Sequence, residues 1–335
     1  MKALRWEKPL VTLAALLLIL GLAASQAYAW GSATHCLFDD LLNRQKQGQK
    51  NLGERYGGMV PDLFNYLFAT NPPYAPYQHD LYVLTHGDYE NGYDYFLQVW
   101  EAAGPGKASV ARALGYGFVS HNDLWGADFT AHHHGRTFGQ GEGYIVAKAQ
   151  ALKPYLVAEL AKIDLTLPDA AALELSHDFV EFGVDVLVKQ LDSQIGSKMA
   201  LAALRRNPTF PTLLVRAYGD EVAAYVGSSP QEAARLITAT EQSFRQLKIY
   251  EGRALMEDVQ TAVTLLSEEL ANFAQAYLAA FGIELPPGVT HEQIVELCEN
   301  FISLAMVMCQ GDFAGEIQAT IVYVNQQLED HRISY

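Results

Sequence analysis

The sequence predicts an all-α protein, and three observations carry that prediction. Two capped helix starts stand well apart in the chain. Ser229-Pro230-Gln231-Glu232 has a cap, a first-turn proline and the glutamate of a capping box, and Thr290-His291-Glu292-Gln293 repeats the logic with glutamine. Apolar residues recur at helical spacing through most of the chain, whereas runs alternating at period two are hard to find. Gly311 and Pro286-Pro287 punctuate the long runs.

Taken in order, the elements begin with a segment expected to be removed. Met1 to Ala29 has Lys2 and Arg5 near its start, an apolar run from Leu10 to Ala24, and then Ala27-Tyr28-Ala29, whose small residues occupy the two positions a signal peptidase reads. The run is short for a membrane span, and no later stretch approaches spanning length. The expectation is a secreted or periplasmic protein whose mature chain starts at Trp30. Asn71 to Pro76 and Gly135 to Gly143 read as loops. Ala200 to Val226, Ala254 to Phe281 and Phe313 to Leu328 read as mostly helical, the helices of the C-terminal half.

Half of the 335 residues are apolar, enough for a sizeable core in one large domain or two. The formal net charge of −15 disfavours long polyanionic partners such as nucleic acid, whose binding rests on phosphate neutralisation. Three cysteines are too few for a disulfide framework. Cys298 and Cys309 share a face of one helical run but lie about 16 Å apart along it, too far to bridge.

The chemistry gathers in the first half. The chain has 10 histidines, and only His291 and His331 lie past residue 200. His177 and Glu181 stand at i and i+4, neighbours on one helix face, as two ligands of one ion or a surface hydrogen bond would require. His121, Asp128 and His132 fall within about 20° of one direction if a single helix carries them. The run His132-His133-His134 fits either a ligand set or a solvated cluster.

The ordered set Trp30, His35, Pro61-Asp62, Thr85-His86, Ser120-His121, Ala127-Asp128, His132 and His177 to Glu181 resembles that of the zinc-dependent phospholipase C family. That family includes bacterial phospholipases C and the catalytic domain of glycosylphosphatidylinositol-specific phospholipase D, and is related to fungal single-strand nucleases. The likeness spans residues 30 to about 195. Its most specific stretches are Gly117 to His121, Ala127 to His132 and Glu181 to Leu187. It implies an all-α multi-helix bundle with about three zinc ions, extended here by further C-terminal helices. Asp62, His86, His121 and Asp128 would hold the first ion, and His132, His177 and Glu181 the second. Asp128 as a bridge, His35, and the amine and carbonyl of Trp30 would hold the third. The pattern departs at one place: the family has three residues between the histidine and aspartate of its central helix, and six separate His121 from Asp128. His134 competes with His132 as ligand.

On that resemblance residues 30–200 form a metal-binding catalytic core, and 201–335 a helical extension packed on it. The implied activity is hydrolysis of a phospholipid, phospholipase C- or D-like, with Asp62 as ligand and general base and with transient contact with a membrane surface. The alternatives are a single-strand nuclease or nucleotidase with the same metals, and a non-catalytic zinc-binding protein. An α-amino group, with its reference pKa of about 8, loses its proton readily beside a cation and forms a five-membered chelate with its own carbonyl. An amide nitrogen in an uncleaved chain does neither.

Overall fold

The computed structural model describes residues 30–42, 49–105, 109–162, 166–280 and 288–334. The expected export signal lies outside them, as does Phe281. The described residues form fifteen α-helices and three short 3-10 helices, with a single β-bridge between Asp88 and Tyr93. The fold is all-α.

The N-terminal helices are α1 (Ser32–Leu42), α2 (Gln49–Met59), α3 (Leu67–Thr70), α4 (Gln78–His86) and α5 (Leu97–Ala102). The middle of the chain forms α6 (Val110–His121), α7 (Ala127–His132), α8 (Tyr144–Ala161) and α9 (Asp169–Leu187). Beyond these come α10 (Ile195–Leu204), α11 (Phe210–Val226), α12 (Pro230–Ala254), α13 (Val259–Ala280), α14 (His291–Cys309) and α15 (Phe313–Asp330). Both capping boxes form, at Ser229 and at Thr290.

Three expectations change. The run from Ala200 to Val226 is two helices, because Pro208 and Pro211 withhold N–H donors and push their neighbours out of helical geometry. Ala254 is the last residue of α12, and Asp258 caps a new helix by accepting the Thr261 N–H at 3.1 Å. Pro72–Tyr77, expected as loop, winds into a 3-10 helix, for which proline supplies a suitable φ. The Gly135 to Gly143 segment is a loop as expected; its Thr137 N–H donates to Glu316 on α15 at 2.6 Å.

The two halves of the chain share one apolar core, which runs from Trp30 to Ile333. Polar pairs tie the C-terminal helices to it: Tyr56 donates to Glu241 at 2.7 Å, Tyr144 to Asp312 at 2.7 Å, and Thr130 and Thr320 meet at 2.9 Å. Cys36, Cys298 and Cys309 are buried and free. No single helix among the described residues is long and apolar enough to cross a membrane.

Two close approaches place α6 and α1, the helices that carry His121 and His35. Helices α2 and α6 cross on glycine: a Cβ on Gly57 would lie 2.2 Å from the Leu114 carbonyl, and one on Gly117 would lie 2.1 Å from that of Glu54. The Asp185 carboxylate of α9 caps α1 from outside, accepting the Ala33 and Thr34 N–H groups at 2.9 Å each and the Thr34 hydroxyl at 2.7 Å. Gly31 permits this, since a Cβ there would sit 2.5 Å from the same carboxyl carbon. Replacing Asp185 by alanine leaves these buried donors without an acceptor, at about 1–3 kcal/mol each. The urea midpoint of Asp185→Ala should therefore fall markedly, and an unchanged midpoint would rule out a stabilising role for the cap.

Candidate metal centre

Three helices end on a histidine: α4 on His86, α6 on His121 and α7 on His132. The chain turns away just after each imidazole, and the His86 and His121 rings meet with centroids 4.9 Å apart, beside carbonyl ends that favour positive charge. Asp62 comes from the 3-10 helix Val60–Phe64, and His35 from the first turn of α1. Trp30 is fully buried. Its indole N–H faces the Ala127 carbonyl at 3.0 Å and the Thr130 hydroxyl at 3.1 Å, and its ring stacks on Tyr144.

Asp128 stands at the centre with no exposed surface. Its Oδ2 lies 2.7 Å from His121 Nε2 and 3.8 Å from His86 Nε2, while Asp62 Oδ1 lies 3.6 Å and 3.2 Å from the same two nitrogens. Donors bound to one four-coordinate cation stand about 3.3 Å apart, so these separations have the scale of a coordination shell. The other oxygen, Oδ1, faces a different set: His35 Nε2 at 3.0 Å and the Trp30 backbone nitrogen at 3.3 Å. One carboxylate thus joins two donor groups, and both are free of sulfur.

The outer ring nitrogens are fixed from behind. His121 Nδ1 donates to the Gly58 carbonyl at 2.6 Å, and His86 Nδ1 lies 3.1 Å from the Tyr82 carbonyl and 2.9 Å from the Thr85 hydroxyl. Both arrangements leave Nε2 as the inward nitrogen. Asn65 Nδ2 donates to Asp62 Oδ1 at 2.9 Å.

His121 and Asp128 do not share a helix, which corrects the expected common face. Asn122 stops α6: its side-chain oxygen accepts the backbone N–H groups of Leu124, Trp125 and Gly126 at 2.9, 2.9 and 3.2 Å, and α7 restarts at Ala127. The turn thus absorbs the unusual spacing and brings the two side chains together.

The second set is looser. His177 Nδ1 lies 2.9 Å from Glu181 Oε1 on one face of α9, as the spacing predicted. Asp178 groups with that pair, while His132 groups with Asp123 and His133 instead. The His132 and His177 rings are 5.7 Å apart. The histidine run divides: His132 is buried, His133 stacks on Tyr89, and His134 is exposed with its Nδ1 3.2 Å from the Gly135 carbonyl. Burial favours His132 over His134. Sequence reasoning missed Asp123, whose Oδ1 lies 2.6 Å from His132 Nδ1 and whose Oδ2 lies 3.0 Å from His133 Nε2. The one available signal was the lengthened gap that contains it.

Electrostatics match the geometry. Burial acts to raise Asp62 and Asp128, but His121 opposes it most strongly at both, and both carboxyls stay below their ordinary range. Burial pushes His35 down to about 4, with His121 adding to it. For His121 burial also acts downward, yet Asp128 and Asp62 prevail and raise it to about 9. Without cations the charged His121 therefore pairs with Asp128 and Asp62, and a divalent ion would take the place of its proton. Several of these buried groups can hold a metal ion.

Among the aromatic side chains, Tyr82 stacks on His86, Tyr66 packs against Phe244 and Phe273, and Trp125 stacks on His331. Tyr89 remains largely exposed. Compared with known proteins, the chain matches no family model, no curated protein and no solved structure.

Behind His121, Asp39 is fully buried and accepts the Ser120 hydroxyl at 2.8 Å. Burial raises its carboxyl to about 8 from an ordinary 3.8, against the pull of Ser120 and His121. The native state therefore holds a proton that the unfolded chain gives up. This contribution to stability is complete below about pH 4 and is lost as pH rises through about 8. Urea midpoints of chelator-treated protein should fall across that window, and less steeply for Asp39→Asn; parallel slopes would refute the assignment.

Proposed function

We propose that the chain is an exported zinc-dependent phosphodiesterase acting on phospholipids. The observation that carries this reading is the Asp128 carboxylate, with each oxygen aimed at a separate nitrogen- and oxygen-donor set. Asp62, His86, His121 and Asp128 would hold one ion, and His132, His177 and Glu181 a second. Asp128, His35 and the terminal amine and carbonyl of Trp30 would hold a third. Donor sets of this chemistry suit zinc in hydrolytic sites.

When bound, the ions would neutralise a phosphodiester, stabilise charge developing on its oxygens and lower the pKa of a water molecule. The chain supplies the rest. Asp62 combines ligation with the general-base role: it is ionised, slightly exposed, and held by Asn65 and His86. The indole bonds of Trp30 hold its nitrogen beside Asp128. Because an amide nitrogen is a poor ligand, removal of the export signal would complete the third site. A phospholipid substrate accords with the net negative charge, which disfavours a long nucleic acid.

Mass spectrometry of protein processed to Trp30 should count about three zinc ions; none would defeat the reading. An N-terminal extension left before Trp30 should lower that count by about one. Asp62→Asn should lose about 10²–10⁴-fold in hydrolysis with zinc retained, and full activity in that variant would remove Asp62 from the mechanism. Assays on phosphatidylcholine, a phosphoinositide and single-stranded DNA decide the substrate. Turnover of DNA alone would favour a nuclease, and zinc without turnover a binding protein.

A further inference from the structure

The turn between α6 and α7 does more than accommodate a long spacing. It carries Asp123, whose backbone N–H donates to the His86 carbonyl at 2.9 Å. Its carboxylate is nearly buried and meets two imidazoles at once, His132 Nδ1 at 2.6 Å and His133 Nε2 at 3.0 Å. His133 is itself fixed, stacked on Tyr89 with ring centroids 3.7 Å apart and planes within 13°. Asn122, which gathers three backbone N–H groups on its side-chain oxygen, gives the turn a single shape. The residues by which this chain exceeds the spacing it otherwise resembles are therefore the ones that place a carboxylate behind His132.

We propose that Asp123 is a positioning residue for His132: it fixes the Nδ1–H form of the ring and leaves Nε2 as the nitrogen for a cation. A neutral imidazole has one donor and one acceptor nitrogen, and a carboxylate at Nδ1 selects which is which. It also restrains ring rotation and strengthens the ligand. The inference rests on His132 being a zinc ligand. The same three side chains lie close enough to gather a cation of their own. The 2.6 Å between Asp123 Oδ1 and His132 Nδ1 is a charge-assisted hydrogen-bond length, and the number of zinc ions lost in the variants below separates the two arrangements.

The test uses full-length processed protein and zinc as the probe. Competition with a chelator should show one of the wild-type zinc sites weakened about 10–100-fold in Asp123→Ala, with the others unchanged and partial recovery in Asp123→Glu. Cobalt-substituted protein should show the visible bands of that one ion altered. Nitrogen NMR of the histidine rings in zinc-loaded wild type should find His132 protonated at Nδ1 and metallated at Nε2, a result that decides the question even if Asp123→Ala does not fold. Unchanged affinities in folded Asp123→Ala, or metallation of His132 at Nδ1, would overturn the proposal. So would an extra zinc lost equally in Asp123→Ala and His133→Ala. Wild type that binds no zinc would instead defeat the reading of the whole site.

Discussion

The buried carboxylate of Asp128 is the contact on which the rest of the centre depends. Removing an ionised carboxylate from water is expensive unless charge and hydrogen bonds replace the solvent. Here the replacement is divided: His121 and His86 stand on one oxygen, His35 and the Trp30 nitrogen on the other. The chain must therefore bring its N-terminal segment, the ends of α4 and α6 and the start of α7 to one point. Each of those elements is constrained by a feature that has no direct part in the chemistry.

The constraints are short-range and specific. Gly57 and Gly117 let α2 and α6 approach backbone to backbone, and that approach sets the Gly58 carbonyl against His121 Nδ1. Asp185 caps α1 from α9, and Gly31 makes room for its carboxylate. The indole of Trp30 is bonded at Ala127 and Thr130, which flank Asp128 in the same short helix. Trp30 and Asp128 are thus tied together twice. Thr130 in turn meets Thr320, so the C-terminal helices buttress the same corner.

Much of the fold was legible because it is local. The capping boxes at Ser229 and Thr290 operate over three residues, and both form. His177 and Glu181 meet because helical spacing alone brings them together. The failures are also local in origin. Prolines at 208 and 211 outweighed helical periodicity between α10 and α11, and Asn122 ended a helix that angular spacing alone would carry on to His132. Asp123 escaped notice because an aspartate in a turn is ordinary; only its distance to His132 in space distinguishes it.

The sequence by itself determined the all-α class and the order of the residues that converge, since periodicity, caps and residue chemistry are properties of neighbours along the chain. Only the tertiary structure decided how the two oxygens of Asp128 are shared between donor sets, which member of the histidine run turns inward, and which nitrogens of His86 and His121 face the carboxylates. Those outcomes depend on contacts between residues such as Asp128 and Trp30, 98 positions apart, and no local pattern encodes the distance between them.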